Sequence, residues 1–200
     1  MLRSFLGGSI HVSRRTGRLG ICTATRPSKM PEGPEVTTLT LSMRDRFPLN
    51  QYSLTDIHLV SGRYVDQAPP EGWEKLTKKL PLALSTVKEK GKFIYFLLEQ
   101  DTSIWSTLGM SGGWTLRENH PNTRVRMTLE STNKGEAREE PIYLHYVDSR
   151  NFGTLKVCFD SAELHRRLDK LGPSWLHNKV DLETFRALLK KKGKPQRNRN

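Results

Sequence analysis

This sequence has few cysteines, no long apolar runs, and no acidic residue in its first 29 or last 11 positions. Two cysteines among 200 residues exclude a disulfide framework and a four-ligand cysteine zinc site. No stretch approaches the roughly 18 consecutive apolar residues that a membrane-spanning helix needs, and the mean hydropathy is −0.62. We therefore expect a soluble chain of one ordinary domain with tails, with no membrane partner and no bound metal.

The formal charge of +12 suggests a nucleic-acid-binding protein until its distribution along the chain is considered. Residues 1–29 hold six basic residues and no acidic one, and residues 190–200 hold another six and no acidic one. The stretch between them contains 21 basic and 21 acidic residues. Because the body of the chain is neutral overall, a nucleic-acid function has to be argued from particular residues.

Residues 1–29 are rich in arginine, serine and threonine, a composition typical of an organelle transit peptide. A disordered basic extension, or upstream sequence read in error before a true start at Met30, explains the same composition. A transit peptide predicts the mitochondrion or a plastid, and without one we expect the nucleus. The basic tail at the other end is typical of a solvated segment that touches phosphates nonspecifically.

Periodicity in the body of the chain predicts clustered strands with helices mainly at their flanks. Helices are predicted where Val36, Leu39, Met43 and Phe47 recur, from Trp73 to Leu80, from Leu164 to Leu171, and from Asp181 through Leu182, Phe185, Leu188 and Leu189. Strands are predicted at Asp56–Val60, Phe93–Leu98, Ser103–Leu108, Thr123–Leu129, Ile142–Val147 and Thr154–Phe159, with turns at Gly112-Gly113, His120-Pro121-Asn122 and Ser131–Glu140. This pattern predicts an α+β fold, an antiparallel two-sheet β-sandwich with flanking helices.

The segment Met30-Pro-Glu-Gly-Pro-Glu-Val allows two interpretations. Pro34 suits a first helical turn, and Glu32 and Glu35 favour a helix N-terminus through its dipole, which is a purely structural explanation. Alternatively, removal of Met30 would leave Pro31 as an N-terminal secondary amine. An α-amino group has a reference pKa of about 8, so part of it is unprotonated and nucleophilic near neutral pH.

Such an amine can attack a sugar C1′ and form an iminium, an electron sink that permits elimination of phosphate. Glu32, next to it, can protonate the departing base or the sugar ring oxygen if burial raises the pKa of its carboxyl group.

The same segment resembles the N-terminal signature of the formamidopyrimidine-DNA glycosylase / endonuclease VIII family, which excises oxidised bases and nicks the abasic site. Four further segments resemble that family in the expected order: Lys90-Gly-Lys-Phe-Ile-Tyr-Phe-Leu-Leu, Leu108-Gly-Met-Ser-Gly, Asp148-Ser-Arg-Asn-Phe-Gly and Leu171-Gly-Pro. The details are most similar to the subgroup found in plants, fungi and large viruses. The resemblance covers about residues 30–175.

The resemblance implies a role for each matching residue. It makes Pro31 the nucleophile and Glu32 the general acid, with Glu35 supporting the sugar end of the site. Lys92 would hold the phosphate beside the lesion, although a lysine there is by itself an ordinary exposed strand residue. Met110 would fill the gap left by the everted nucleotide, and Arg150 and Phe152 would insert near the orphaned base. Taken alone, Met110 and Phe152 are typical core residues.

Two departures from the family pattern stand out. Many members have a second arginine where this chain has Asn151, so one phosphate contact is expected to be missing or replaced. The family's helix-two-turn-helix and finger domains, which form the other wall of the DNA groove, have no counterpart here. We expect a basic leader over residues 1–29, the catalytic N-terminal domain over 30–175, and a truncated start of the helical domain over 176–200.

Three functions therefore compete. The first is a bifunctional glycosylase and abasic-site lyase that acts on damaged double-stranded DNA as a monomer, without a cofactor. The second is a noncatalytic truncated member of the same family that binds DNA weakly. The third, suggested by the basic ends, is an organellar RNA-binding or ribosome-associated protein.

Overall fold

The computed structural model describes residues 30–46, 48–133, 140–172 and 181–192. Outside these ranges lie the predicted leader, Phe47, most of the turn predicted at Ser131–Glu140, Pro173 and the tail from residue 193. The side chains of Leu188 and Leu189, predicted to complete an apolar stripe, also lie outside the description.

Eight strands and their flanking helices make up the described part of the chain. The helices are α1 (Gly33–Arg46), α2 (Arg63–Asp66), α3 (Trp73–Lys79), α4 (Ser161–Lys170) and α5 (Leu182–Lys192). The strands are β1 (Tyr52–Leu59), β2 (Leu82–Lys90), β3 (Phe93–Leu98), β4 (Ser103–Thr107), β5 (Gly112–Thr115), β6 (Thr123–Ser131), β7 (Ile142–Asp148) and β8 (Thr154–Cys158).

All pairings between these strands are antiparallel, in the order β5-β7-β6-β1-β2-β3-β4-β8. The ladder folds back on itself, because Trp114 of β5 packs on Phe96 of β3 with ring centroids 4.9 Å apart. The indole N–H of Trp114 also donates to the Ser106 hydroxyl of β4 at 3.1 Å. Two facing halves of one sheet thus enclose the core, which confirms the predicted α+β sandwich with flanking helices.

Three strands differ from their sequence prediction, and the short helix α2 was not predicted. The strand predicted at Asp56–Val60 begins at Tyr52, because a bulge between Leu54 and Asp56 interrupts its alternation. Strand β2, which also carries a bulge and ends in charged residues, was missed. The glycines predicted as a turn, Gly112-Gly113, open β5 instead, and the Gly112 Cα lies close against the Leu108 carbonyl where no side chain fits.

A buried carboxylate fastens α1 to the sheet. Glu89 of β2 has a side chain only 3% exposed. Its Oε2 accepts a hydrogen bond from the Thr40 hydroxyl at 2.6 Å and lies 3.7 Å from the Arg44 guanidinium. Thr40 is itself fully buried. Since a buried charge is tolerated only when it is paired and hydrogen-bonded, these contacts fix the angle at which α1 leaves the sheet.

Gly153, between β7 and β8, fills a tight junction at one end of the sandwich. The Tyr146 hydroxyl donates to the Thr107 carbonyl oxygen at 3.2 Å, and the Gly153 Cα faces this bond. A Cβ at Gly153 would overlap the Tyr146 hydroxyl oxygen and lie 2.6 Å from the Thr107 carbonyl oxygen. The chain therefore has room only for glycine at this point.

None of the helices within the described ranges is long and apolar enough to cross a membrane.

We predict that Thr40→Val lowers the free energy of unfolding by about 1–3 kcal/mol, because the buried Glu89 carboxylate loses its hydroxyl donor. Urea unfolding followed by circular dichroism measures the change. The control is Thr38→Val, on an exposed position of the same helix, where we expect a change within about 0.5 kcal/mol. Equal effects of the two substitutions would contradict the anchoring role of Glu89.

We predict that Gly153→Ala is destabilising at the upper end of the roughly 1–3 kcal/mol typical of overpacking. The matched control is Gly113→Ala, since the nearest atom to a Cβ there is 3.8 Å away. Thermal unfolding of the two variants should separate them clearly. A Gly153→Ala protein as stable as the Gly113→Ala protein would show that the junction is looser than the structure indicates.

Candidate functional site

The start of α1 is held by a half capping box. Glu32 lies at the N-cap, and its carbonyl oxygen accepts the first helical bond from Val36 N–H at 3.0 Å. The Glu35 carboxylate reaches back to accept the Glu32 N–H at 3.2 Å. This is the half of the capping box that Glu at the third helical position provides. Glu35 therefore fixes the backbone that immediately follows Pro31.

Lys92 reaches the same point from the β2–β3 hairpin. Its ammonium lies 2.7 Å from the Glu32 carboxylate, and the two side chains are 45% and 56% exposed. An ion pair this exposed adds little to stability, so its main consequence is the placement of a cation at Glu32, the residue after Pro31. The burial that we expected around Glu32 is not provided by the described residues, since more than half of its side chain is accessible.

Strand register brings the other predicted segments to this end of the sheet. Phe93, Thr107 and Thr154 pair across β3, β4 and β8. The residues just beyond this row are Lys92, the loop that starts at Leu108, and Gly153. Neighbouring strands lie about 4.8 Å apart, so the three segments share one rim, which we define as Lys92 together with residues 108–111 and 149–153.

A second buried carboxylate joins the two loops of the rim. Asp148, at the end of β7, is 1% exposed. It accepts hydrogen bonds from the Ser111 hydroxyl at 2.6 Å, the Gly153 N–H at 2.7 Å and the Arg150 N–H at 3.1 Å. The loops also touch directly, since a Cβ at Gly109 would lie 2.6 Å from the Gly153 nitrogen.

Met110 and Phe152 project from these loops and are not core residues, contrary to what each residue type suggests alone. Their side chains are 37% and 60% exposed. An Arg150 guanidinium nitrogen lies 3.6 Å from the Met110 sulfur, so a charged and an apolar side chain are in contact on the rim, in whose second loop Phe152 also lies. Exposed apolar side chains on a tightly held backbone are typical of a binding surface.

Asn151, the residue that departs from the family pattern, has a φ of +57°. Asparagine is one of the few residues with a side chain that adopts this left-handed conformation readily. Its side-chain amide lies against Gly62, which precedes α2. The neighbouring Arg63 side chain donates to the Gly153 carbonyl oxygen, so α2 supports the loop from outside.

Two buried tyrosines of the sheet have raised pKa values. Burial raises the pKa of Tyr146 above its ordinary value, and the nearby Asp148 carboxylate raises it further. Burial likewise raises the pKa of Tyr95, with a smaller contribution from Glu89. A tyrosine hydroxyl is protonated at neutral pH even without such a shift, and that of Tyr146 donates to the Thr107 carbonyl oxygen.

Glu89, Thr40 and Asp148 were not predicted from the sequence to have a role. For Asp148 a usable signal exists, because Asp at the start of a turn after a strand commonly accepts hydrogen bonds from the following backbone. For Glu89 the signal is an acid two residues after the inward-facing Val87. Within the described ranges, no group of three or more histidine, cysteine or acidic side chains is arranged to hold a metal ion.

Comparison with known proteins gives relatives for most of the chain. Residues 30–155 match the family model described as the formamidopyrimidine-DNA glycosylase N-terminal domain. The formamidopyrimidine-DNA glycosylase of Thermus thermophilus is 32% identical over 168 residues, which cover 83% of this chain and 55% of the relative. That of Bartonella tribocorum is 33% identical over 156 residues, covering 72% and 50%. The chain spans about half the length of these curated relatives.

Solved structures show the same fold. Lactococcus lactis formamidopyrimidine-DNA glycosylase, noncovalently bound to DNA containing an AP site, matches with a TM-score of 0.62 at 24% identity, covering 80% of this chain and 58% of that chain. A complex of a mutant of that enzyme with Fapy-dG containing DNA gives a TM-score of 0.52 at 25% identity, with coverages of 70% and 48%. The matched family model and the relatives above 30% identity confirm the predicted ancestry: this chain belongs to the formamidopyrimidine-DNA glycosylase family.

Proposed function

We propose that this protein acts in base excision repair as a bifunctional DNA glycosylase and abasic-site lyase on damaged double-stranded DNA. The observation that carries the proposal is the 2.7 Å contact between Lys92 and Glu32 on the rim that also presents Met110 and Phe152. This contact supports the proposal because it brings Lys92, the proposed phosphate-binding cation, to the residue that follows the proposed nucleophile.

In the proposed reaction the Pro31 nitrogen forms a bond to C1′ of the damaged nucleotide while the bond from C1′ to the base breaks. Glu32 gives its proton to the departing base or to the sugar ring oxygen, and the proton that the bonded nitrogen loses goes to the other of these two sites as the sugar ring opens to an iminium. Loss of a C2′ proton then expels the 3′ phosphate. Every group in these steps belongs to the chain or to DNA, so the proposal includes no cofactor.

Lys92 has two partners in this scheme. In the free protein its ammonium pairs with Glu32, and on DNA we assign it to the phosphate beside the lesion. Exchange of an exposed carboxylate for a phosphate costs little, because the ion pair it replaces is weak. The exchange also releases Glu32 for proton transfer.

The proposed wedge residues, Met110 and Phe152, compensate for the base stacking that is lost when a nucleotide is everted. A nucleotide turned out of the duplex leaves a void, and apolar or planar side chains in that void recover part of the lost stacking. We assign Met110 to the gap left by the everted nucleotide and Arg150 and Phe152 to the orphaned base. Asn151 takes the position of the family's second arginine in the same loop.

The exposure of the Glu32 side chain and its pairing with a cation favour a second candidate, a noncatalytic family member that binds DNA weakly. The two candidates share the rim and differ in the number of phosphate contacts. We further propose that the protein is a monomer, imported into the mitochondrion or a plastid if residues 1–29 are a transit peptide and otherwise nuclear. Mass spectrometry of the N-terminus of protein isolated from cells tests both the location and the exposure of Pro31.

We predict that a protein beginning at Pro31 forms a borohydride-trapped adduct with abasic DNA, whereas the 200-residue chain forms none. With a residue before it, the Pro31 nitrogen is a tertiary amide and has no reactive electron pair. Gel electrophoresis after borohydride treatment resolves the adduct. A matched control retains Met30 ahead of Pro31 and should fail to trap; equal trapping by all three proteins would refute Pro31 as the nucleophile.

We predict that Lys92→Gln weakens binding to abasic-site duplexes and reduces the slope of log affinity against log salt by about one phosphate contact. The control is Lys78→Gln, at an exposed position of α3, which should leave the slope unchanged. Fluorescence anisotropy at several salt concentrations measures both. A wild-type slope corresponding to only one or two contacts would favour the noncatalytic candidate.

A further inference from the structure

The two wedge-bearing loops share a single buried acceptor. Asp148 Oδ1 accepts the Ser111 hydroxyl of the first loop and the Arg150 N–H of the second, at 2.6 and 3.1 Å. Oδ2 accepts the Gly153 N–H at 2.7 Å. The Arg150 N–H is also directed at the Ser111 hydroxyl oxygen, 3.1 Å away. One carboxylate thus bridges segments that are about forty residues apart in the sequence.

The backbone of Asp148 is held as firmly as its side chain. Its N–H donates to the Asn122 carbonyl oxygen at 3.0 Å. Its carbonyl oxygen accepts from Arg124 Nε at 2.7 Å, and the same guanidinium donates to the Ser61 hydroxyl at 2.8 Å. The carboxylate is therefore a fixed point to which the loops adjust.

Energetics favour a coupled pair of loops. A carboxylate that is 1% exposed must have its oxygens satisfied by donors, because an unpaired buried charge costs several kcal/mol. Movement of either loop away from Asp148 removes a charge-assisted hydrogen bond, which is roughly twice as strong as a neutral one. The close approach of Gly109 to Gly153 adds a steric reason for the loops to move together.

We propose that Asp148 is a positioning residue that sets Met110 relative to Phe152, so that both wedges enter the duplex as one preorganised unit. The inference rests on the proposed function, because it requires the rim to engage a site of base eversion. Asp148 itself is buried and acts through the loops. Preorganisation of this kind lowers the ordering cost that flexible loops would incur on binding.

The test compares Asp148→Asn with wild type in the full 200-residue chain, because binding to a noncleavable abasic analogue does not need a free Pro31. Asparagine keeps the shape but replaces one acceptor oxygen with a donor group. We expect the preference for duplex containing a tetrahydrofuran abasic analogue over undamaged duplex to fall by about tenfold, in the range seen when a buried hydrogen-bonded charge is removed. Asp101→Asn, in the exposed turn at the opposite end of β3 and β4, should retain the wild-type preference.

A double-mutant cycle with Phe152→Ala separates positioning from general loss of stability. If Asp148 acts through the wedges, Asp148→Asn should cost little more once Phe152 has been removed. The proposal would be overturned if the fold-losses of Asp148→Asn and Phe152→Ala multiply in the double variant. It would also be overturned if Asp148→Asn alone keeps a preference for the abasic analogue within twofold of wild type. Ser111→Ala, which removes one loop's bond to the carboxylate, provides a milder second variant should Asp148→Asn unfold.

Amide hydrogen exchange without DNA distinguishes failure of this inference from failure of the proposed function. Coupling predicts faster exchange in both residues 108–112 and 149–153 of Asp148→Asn, with β6 unchanged. Unaltered exchange in residues 108–112 would overturn the coupling. A wild-type chain with no preference for the abasic analogue would overturn the proposed function and the DNA role of Asp148 with it, whatever the exchange pattern.

Discussion

The candidate site depends on the register of three strands at one end of the sandwich. Phe93, Thr107 and Thr154 form a continuous row across β3, β4 and β8, and each is followed or preceded by a segment of the rim. A slip of one residue in any of these strands would turn its side chains to the opposite face of the sheet. It would also move the attached loop by the rise of one residue along the strand, about 3.3 Å. Core packing of Phe96 and Ile104 therefore maintains the geometry of a surface to which neither residue belongs.

Two buried carboxylates transmit that register to the surface. Glu89 fixes the helix that presents Pro31, and Asp148 fixes the loops that present Met110 and Phe152. Buried charges are poor sources of stability, because desolvation offsets much of the attraction to their partners. Here they contribute directional hydrogen bonds, which fix the positions of the helix and of the loops. An apolar side chain in either position would fill the space without fixing those positions.

The periodicity of the sequence predicts most of the strands and helices but few of the site residues. The alternating run Thr123–Leu129 and the helix after Trp73 were predictable because the periodicity of their sequences is uninterrupted, whereas bulges concealed the first part of β1 and the whole of β2. The rim residues were proposed from resemblance, since nothing local distinguishes Met110 or Phe152 from core residues. Their exposure, and the burial of Asp148, arise from contacts between segments distant in sequence, which periodicity does not contain.

The exposure of Glu32 bears on how the proposed reaction is completed. A carboxyl group that is to hold a proton near neutral pH needs desolvation or a neighbouring negative charge, yet the Glu32 side chain is 56% exposed and its described partner is a cation. In the proposed complex with DNA both conditions would change, because the phosphate would draw Lys92 away and the sugar would cover the carboxylate. In the proposed mechanism, binding of the substrate thus creates the surroundings that Glu32 needs to act as a general acid. A second wall across the DNA groove would strengthen this effect by excluding water from Glu32.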